Sequence, residues 1–599
     1  MMLKKPAIAA ALLMALGGMP AAVFATTSAP VSTSATSLDA RRAALNSLLT
    51  EQWEYKLRAT PEFASMLGDK RYNDQLSDFS QAAIDADQKA DVVFLKRFQA
   101  IDIKGFAVQE KLNKDLMVQQ LKNSVAAVRF KDWQMPVLQN SGIHLQTPEM
   151  VAMLSFVTVK DYDDYVARLK AVPKAFAQTM VQMQNGMANK LMPPQFLLEK
   201  IARQSDDIAE MKIEDSPFMQ PVNKFPAEFS DADKLRLRAA IVDAITQQVI
   251  PTYQKFAVFV RNDYAPHGRK DVGLWSLPDG AERYKQKVKN STTTDLTPEY
   301  IHQLGLREVK RIEGQMLVVA KKLGYADLKS FNAMVLTNPD LHPKSRQEIL
   351  DLYTKYTEQM YTKLPELFGR MPKAKVTVMA VEEFREKEAP GASYNQGAPD
   401  GSRPGHVMVN TSDFADRTTL PIETTSLHEG VPGHHMQISI AQELPDLPQF
   451  RAQGGYNAYV EGWALYSERL GEELGFYQDP YSYYGHLQDE MLRAIRLVVD
   501  TGLHYKKWNR QQVVDFFHDH SGIEEVDVQS ETDRYIVWPG QALGYKIGQL
   551  KIVELRDYAT KKLGKKFDLR AFHDEVLGAG ALPLDVLEQR IHVWVKTQL

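Results

Sequence analysis

The sequence predicts a mostly α-helical fold, because apolar residues recur at helical spacing, helix-start signals are frequent and strand signals are few. Before residue 300, Thr297 offers an N-cap hydroxyl, Pro298 suits the first helical position and Glu299 places an acid in the first turn. A helix is therefore expected to begin at Pro298. The segments with an apolar residue every three to four positions are 45–57, 152–172, 235–260 and 300–323.

Strand signals occur in two short segments. Residues 376–381 are rich in β-branched side chains, and residues 406–410 form a short apolar run that ends at a predicted turn. Residues 390–404, which lie between them, are rich in Gly, Pro and Asn, a composition typical of a loop. We therefore expect a small antiparallel β-sheet within an otherwise helical chain.

Composition excludes several classes of protein and of site. The chain has 599 residues, of which 44% are hydrophobic and 25% charged, and this profile is that of a globular protein. The formal net charge is −3, so a nucleic-acid partner has no electrostatic support. The absence of cysteine excludes disulfides, thiol catalysis, thiolate metal sites and a lipid-modified N-terminal cysteine. Any metal must therefore be held by His and carboxylate side chains.

The first residues have the pattern of a secretory signal peptide. Lys4 and Lys5 precede an apolar run at 7–16, and residues 23–25 offer small side chains for cleavage after Ala25. The run is too short to span a membrane, and no later segment has 18 consecutive apolar residues. Loss of the two lysines takes the net charge from −3 to −5. The mature protein is expected to be periplasmic or secreted, without an integral membrane segment.

Three regions follow from this pattern. Residues 1–25 are expected to form the signal peptide, and residues 26–37, rich in Ser, Thr and Ala, a flexible leader. Residues 38–599 are expected to form one helical body, in which the Pro-containing breaks are long loops rather than domain boundaries.

One stretch concentrates residues that carry chemistry. His428 and Glu429 are followed by Gly-Val-Pro-Gly and then by His434 and His435. A zinc hydrolase needs two imidazoles on one face and a carboxylate beside the open metal position, usually spaced His-Glu-x-x-His on a single helix. Here the second His comes six or seven positions after the first, which does not place the two on one face of a regular helix.

The Gly-Val-Pro-Gly insert suggests how the longer spacing is accommodated. Pro432 lacks an N–H and clashes with the carbonyl of His428 four residues earlier, and a glycine stands on each side of the Val-Pro pair. A local bulge can therefore absorb two residues and bring His434 beside His428. His434 is the favoured second ligand, and His435 is the alternative.

A third ligand is expected on the next predicted helix, residues 456–474. Glu461 lies there between Val460 and Trp463, in an apolar run where an unpaired carboxylate would be costly. Glu468 follows two turns later on the same face, where it can support the site as a second carboxylate. The sequence thus predicts a metal centre formed by His428, His434 and Glu461.

Together these two motifs resemble the bacterial "domain of unknown function 885" family. The resemblance extends over nearly all of the mature chain. Other segments that look like this family are residues 61–68, 277–280, 493–504, 539–546, 572–573 and 580–584.

This family is similar to the helical gluzincin metallopeptidases, such as the carboxypeptidase Taq, thimet oligopeptidase and angiotensin-converting enzyme groups. The resemblance implies a large two-lobed helical body with a deep cleft, and a small sheet beside the metal-binding helix. It also implies that the strand at 406–410 lies at a sheet edge, where an extended peptide binds by main-chain hydrogen bonds. The sequence departs from the gluzincin pattern in the two extra residues between its candidate histidine ligands.

Further residues are candidates for catalysis. Arg496, Asp500 and His504 are spaced i, i+4, i+8 on a predicted helix, so that Arg496 can pair with Asp500 and Asp500 can orient His504. His504 and Tyr545 are the candidate donors to the oxyanion of a tetrahedral intermediate. An exposed ion-pair row and a helix-packing tyrosine are the corresponding structural alternatives. The candidate substrate-binding residues, placed around the expected site, are Tyr394, Arg403, His406, Arg534 and Lys546.

These observations predict an exported zinc-dependent hydrolase with one zinc ion per chain. Glu429 is expected to activate a zinc-bound water and to pass its proton to the leaving amine. The expected substrate is an oligopeptide or small amide, because a deep cleft excludes folded proteins. Two alternatives remain open: a zinc amidase or esterase acting on a non-peptide metabolite or cell-wall fragment, and a non-catalytic protein that binds metal or peptide.

Overall fold

The computed structural model of the chain describes residues 37–382, 386, 389–398 and 403–599. The predicted signal peptide and almost all of the predicted leader lie outside these residues, and both stay predictions. Within the described residues, no helix is both long and apolar enough to cross a membrane.

The prediction of a mostly helical fold is confirmed. Thr297 caps α12, the helix predicted from Pro298, by accepting a hydrogen bond from the Tyr300 N–H. The α-helices that precede the sheet are α1 (Leu38–Ala59), α2 (Pro61–Met66), α3 (Gln81–Ala100), α4 (Val108–Ala127), α5 (Ile143–Met153), α6 (Val159–Ala188), α7 (Gln195–Glu210), α8 (Gln220–Asn223), α9 (Asp231–Ala244), α10 (Ile250–Phe259), α11 (Gly280–Thr292), α12 (Pro298–Lys322), α13 (Leu328–Thr337) and α14 (Arg346–Leu367).

The predicted helix at 152–172 is two helices. Met153 ends α5 and Val159 begins α6, because the Thr158 hydroxyl and the Asp161 carboxylate form a capping box that starts a new helix. The helices that follow the sheet are α15 (Ile422–Glu429), α16 (His434–Glu443), α17 (Gln449–Ala452), α18 (Asn457–Glu473), α19 (Pro480–His504), α20 (Arg510–His520), α21 (Glu525–Val537), α22 (Leu543–Leu563), α23 (Leu569–Leu577) and α24 (Leu584–Gln598).

The sheet is mixed, and the expectation of an antiparallel sheet was wrong. Its strands are β1 (Val376–Ala380), β2 (Ala392–Asn395) and β3 (Gly405–Val409), in the order β1-β3-β2. β2 lies inside the predicted loop and pairs antiparallel with β3, which returns between the other two and so runs parallel to β1. β3 is therefore the central strand, and the expectation that 406–410 forms an edge is also wrong.

Apolar packing fixes the elements around the candidate site. The sheet packs on α14 and α15 through a cluster that includes Val407, Val409 and Ile422. α18 packs closely on α22, since a Cβ on Gly462 would lie 2.4 Å from the Gly548 Cα. The division into two lobes with a deep cleft, and the single body at 38–599, stay predictions.

Candidate metal centre

The chain between the two predicted histidine ligands is a break between helices rather than a bulge within one. α15 ends at Glu429 and α16 begins at His434. The Gly433 N–H donates to the Leu427 carbonyl at 3.0 Å, and the His435 N–H donates to the Gly430 carbonyl at 3.1 Å. These bonds fold residues 430–433, the connecting turn, back onto the end of α15.

Gly433 is required by this close approach. A Cβ at this position would lie 1.9 Å from the carbonyl oxygen of His428 and 2.4 Å from that of Leu427, so no side chain fits. The turn thereby brings the imidazoles of His428 and His434 together, with ring centroids 4.8 Å apart and the ring planes at 90°.

Three of the predicted side chains converge. His428 Nε2 lies 3.7 Å and His434 Nε2 lies 3.3 Å from Oε2 of Glu461 on α18. The three ligand atoms all lie within 4.8 Å of one another. Ligands at zinc bond lengths in a tetrahedral arrangement stand about 3.4 Å apart, so the set fits a zinc ion with little adjustment.

The carboxylate of Glu461 also fits a metal ligand by its environment. Its Oε2 is buried and has no hydrogen-bond partner among the described residues. A buried carboxylate oxygen without a partner carries a desolvation cost that a cation would offset. The site departs from the usual arrangement at His434. Its Nδ1 is buried and has no hydrogen-bond partner among the described residues, whereas metal-binding imidazoles usually donate from this second nitrogen.

Glu468 orients His428 from behind. Its fully buried carboxylate accepts a hydrogen bond from His428 Nδ1–H at 2.6 Å, which leaves Nε2 as the ring nitrogen that faces Glu461. Arg493 on α19 lies 3.8 Å from the same carboxylate oxygen and pairs with Asp489 at 2.8 Å. The sequence pointed to Glu468 as a supporting carboxylate, but it placed Arg493 only at the start of the family-like segment 493–504 and gave it no role, although its i,i+4 spacing from Asp489 was an available signal.

The site carries excess negative charge. Burial alone would lower the pKa of His428, but the neighbouring carboxylates of Glu461, Glu468 and Glu429 raise it to about 10. Three carboxylates thus surround two imidazoles, and a divalent cation that displaced the imidazole proton would offset most of their negative charge.

Glu429 is held at the end of α15, directly after His428. Its side chain is 9% exposed and, among the described residues, forms no hydrogen bond or ion pair. Apart from its electrostatic effect on His428, this carboxylate is therefore available to contact a bound water or substrate.

His435 is engaged elsewhere. Its Nε2–H donates to the Ala374 carbonyl at 3.0 Å, so Nδ1 is the acceptor for the Tyr394 hydroxyl, also at 3.0 Å. Both ring nitrogens are therefore occupied, and the group of converging ligand atoms in the described chain contains His434 instead. Tyr394, expected to border the substrate, ties β2 to α16, and burial raises its pKa to about 12.

The expected row of Arg496, Asp500 and His504 does not form. His504 accepts a hydrogen bond from the Leu274 N–H through Nδ1 and donates through Nε2 to the Tyr535 carbonyl. Asp500 instead accepts from the Tyr284 hydroxyl and the Gly540 N–H. His504 is therefore a structural histidine rather than an oxyanion donor, because backbone groups take both of its nitrogens.

Arg496 and Tyr545 contact each other instead. Arg496 pairs with Glu531 at 2.8 Å, and its guanidinium carbon lies 4.6 Å from the centroid of the Tyr545 ring. The Tyr545 hydroxyl accepts a hydrogen bond from Arg534 at 3.2 Å, and no acceptor for its own proton exists in the described part of the chain. Tyr545 thus keeps an uncommitted donor, as an oxyanion-binding residue requires.

The cationic substrate-binding candidates are already partnered. Lys546 is fully buried, and its Nζ pairs with Glu490 at 2.6 Å and Glu308 at 3.2 Å. Lys546 therefore belongs to an internal ion-pair network and is not available to bind a substrate carboxylate. Arg534 forms an ion pair with Glu531, and Glu531 also forms an ion pair with Arg496.

The remaining two candidates have structural contacts. Arg403 donates to the backbone carbonyls of Gln396 and Met66, which ties the loop before β3 to the N-terminal helices. His406 pairs across the sheet with Thr377, whose hydroxyl lies 2.6 Å from its Nδ1. These contacts explain both side chains without a substrate.

A cavity of about 980 Å³ lies at the N-terminal end of α18. Its lining includes Lys56, Arg451, Tyr456 and Lys551 but none of the three candidate ligands. This cavity is therefore separate from the candidate metal centre.

Comparisons with known proteins place the chain in a family. It matches the model of a bacterial protein of unknown function, DUF885, over residues 61–591. It is similar to the solved structure of a candidate lipoprotein from Colwellia psychrerythraea, with 30% identity, a TM-score of 0.89 and coverage of 93% of this chain and 99% of that chain. A candidate lipoprotein of unknown function from Shewanella oneidensis shares the fold at 18% identity and a TM-score of 0.69, with the same coverage. No curated protein matches the chain. Because the family model spans most of its length, the chain belongs to the DUF885 family of bacterial proteins.

Proposed function

We propose that the protein is an exported zinc-dependent hydrolase that cleaves short peptides. The observation that carries this proposal is the convergence of His428 Nε2, His434 Nε2 and Glu461 Oε2 within 4.8 Å of one another. Glu429 directly follows the ligand His428 on α15 and has no hydrogen bond or ion pair among the described residues. Two imidazoles, one carboxylate ligand and a free carboxylate are the set that a catalytic zinc site requires.

The roles of the residues follow from their contacts. His428, His434 and Glu461 would hold the ion, with Glu468 fixing the orientation of His428. When bound, zinc supplies Lewis-acid polarisation of a carbonyl and lowers the pKa of water. Glu429 takes the proton of the attacking water and delivers it to the leaving amine. Tyr545, whose hydroxyl proton is uncommitted, donates to the developing oxyanion, and Arg534 positions that hydroxyl.

The peptide substrate class rests on the resemblance to helical gluzincins and on the sheet. β2, rather than the central β3, is an edge strand, and Tyr394 joins it to α16 through His435. An extended peptide can add to such an edge by main-chain hydrogen bonds. Export rests on the signal-like pattern of residues 1–25 and on the lipoprotein descriptions of the two similar structures.

The test is metal analysis combined with digestion of a peptide library read by mass spectrometry. We expect one zinc per chain and cleaved peptides for the wild-type protein. The variant Glu429→Gln should keep its zinc and lose turnover by about 10²–10⁴-fold, because the amide can neither accept nor deliver the proton. Near-native cleavage by Glu429→Gln would refute this mechanism, and zinc without any cleavage would favour a binding protein.

A further inference from the structure

We propose that Trp463 is a positioning residue for the metal centre, because its indole N–H holds the connecting turn 430–433 and thereby places His434 opposite Glu461. The inference rests on the proposed zinc centre and adds to it a residue that touches neither metal nor substrate.

The need for such a residue follows from the broken helix. In a His-Glu-x-x-His helix, the continuous hydrogen-bond ladder itself fixes one histidine relative to the other. Here α15 ends at Glu429 and α16 begins at His434, so this ladder is interrupted between the two ligands. The position of His434 therefore depends on the conformation of the turn.

Trp463 makes the contact that fixes this turn. Its Nε1–H donates to the carbonyl of Pro432 at 2.8 Å, and the indole is fully buried. Among the described residues, Trp463 is the only one whose side chain forms a hydrogen bond with the backbone of residues 430–433. A buried bond of this kind is costly to leave unmade, because the carbonyl would have neither water nor a protein partner.

The same bond couples the turn to the third ligand. Trp463 lies two residues after Glu461 on α18, so one short helical segment carries both the carboxylate ligand and the donor to the turn. A shift of α18 relative to the turn would therefore break the Trp463–Pro432 bond and separate Glu461 from His434 together. Outer contacts that orient metal ligands typically contribute 10–100-fold to metal affinity.

The indole is itself held rigidly. Its ring contacts the rings of Phe368, Tyr466 and His573, with centroids 6.2, 5.6 and 5.8 Å away. His573 is fixed in turn by hydrogen bonds to the Tyr466 hydroxyl and the Leu367 carbonyl. A donor with one packed orientation can specify the position of its acceptor.

The matched control is Tyr459. It lies on the same helix and is equally buried, but its hydroxyl donates to the Val576 carbonyl at 2.9 Å rather than to the turn. The variant Trp463→Phe and the variant Tyr459→Phe each remove a buried hydrogen-bonding group from an aromatic side chain. Only the first removes a bond to the turn.

The experiment measures zinc affinity by competition with a chelator, and amide hydrogen exchange of residues 430–437 in the metal-free protein. For Trp463→Phe we expect zinc binding weakened about 10–100-fold and faster exchange in the turn, whereas Tyr459→Phe should match the wild type in both. Wild-type affinity and exchange in Trp463→Phe, or equal losses in both variants, would overturn the proposal.

A second replacement covers the case in which Trp463→Phe does not fold. Site-specific incorporation of 3-benzothienylalanine at position 463 keeps the shape of the indole but replaces its N–H with sulfur. The same losses of affinity and protection are expected for this variant, and their absence would overturn the proposal. If the wild-type protein binds no zinc, the proposed metal centre fails, and the exchange measurement still decides whether Trp463 holds the turn.

Discussion

At the scale of the residue, the ring nitrogens of the histidines separate ligands from structural groups. His428 and His434 each direct Nε2 at Glu461, whereas His435 and His504 use both nitrogens in hydrogen bonds to the protein. The sequence singled out all four and favoured His434 over His435 as the ligand, but it did not identify their hydrogen-bond partners, which come from distant segments. Ala374, Tyr394 and Leu274 have no sequence signal that links them to these histidines.

The first prediction concerns the ligands. His428→Ala, His434→Ala and Glu461→Ala should each lose most of the bound zinc, because a three-ligand site does not tolerate a missing ligand. His435→Ala should retain it, since the imidazole of His435 is bonded to Ala374 and Tyr394. Metal content by mass spectrometry checks both statements, and full occupancy in His434→Ala with loss in His435→Ala would reverse the assignment.

A second prediction contrasts Tyr545 with His504. Tyr545→Phe should lower kcat by about 10²–10³-fold with little change in zinc content or folding, since Arg534, which donates to the lost hydroxyl, keeps its contacts with Gln541 and Glu531. His504→Gln should instead lower the free energy of unfolding by about 1–3 kcal/mol at pH 7, because the Leu274 and Tyr535 backbone groups lose their partners. Steady-state kinetics and urea unfolding of both variants provide the comparison, and an unchanged kcat for Tyr545→Phe removes Tyr545 from the mechanism.

The stability effect at His504 should depend on pH. Burial lowers the pKa of His504 to about 3 in the folded protein, whereas an unfolded histidine titrates near about 6.5. Between these values the unfolded chain binds more protons, so the stability that neutral His504 contributes is present above about pH 6.5 and lost as the pH falls. The difference between wild type and His504→Gln should therefore shrink between pH 7 and pH 4, and a difference that grew instead would show that His504 is not held neutral in the folded protein.

At the scale of the element, the connecting turn decides the geometry. The sequence signalled an interruption through Pro432 and its flanking glycines, but propensity does not distinguish a bulge from a full break. The break depends on the backbone approach of Gly433 to His428 and on the Trp463 bond, both of which need neighbouring structure. For the same reason, β2 was not recognised inside a loop-like composition, and β3 was expected at an edge.

A third prediction tests the turn. Gly433→Ala should destabilise the protein by about 1–3 kcal/mol and weaken zinc binding, because the new Cβ forces the turn away from the His428 carbonyl. The control is Gly314→Ala on α12, where a Cβ meets open space and helix propensity should raise stability by up to about 1 kcal/mol. Thermal unfolding and zinc affinity of both variants are the measurements, and a Gly433→Ala protein with native zinc affinity would show that the turn is not critical.

At the scale of the whole molecule, the site depends on several helices meeting. α15, α16 and α18 supply the three candidate ligands, and α19 supplies Arg493 behind Glu468. Buried charges join further helices to this body, since Lys546 on α22 pairs with Glu490 on α19 and Glu308 on α12. A metal bound at such a junction stabilises the folded state, because the unfolded chain does not keep the ligands together.

The fourth prediction follows from this linkage. Removal of zinc with a chelator should lower the melting temperature of the wild-type protein, since free zinc at about 100 times Kd contributes about 2.7 kcal/mol. Glu461→Ala should melt at the same temperature with and without chelator. A chelator-dependent shift of equal size in both proteins would place the stabilising ion elsewhere.

The sequence by itself determined the helical class, the main helix of each periodic segment and the residue types of the candidate site. These features depend on local patterns, namely apolar spacing, caps and a His-Glu pair beside further histidines. Only the tertiary structure decided that His434 rather than His435 faces Glu461 and that β3 is the central strand. It also showed that His504 bonds to the protein backbone and that Lys546 forms a buried ion pair. The physical reason is that these outcomes depend on which polar atoms remain unpaired after packing, and their partners lie far away along the chain.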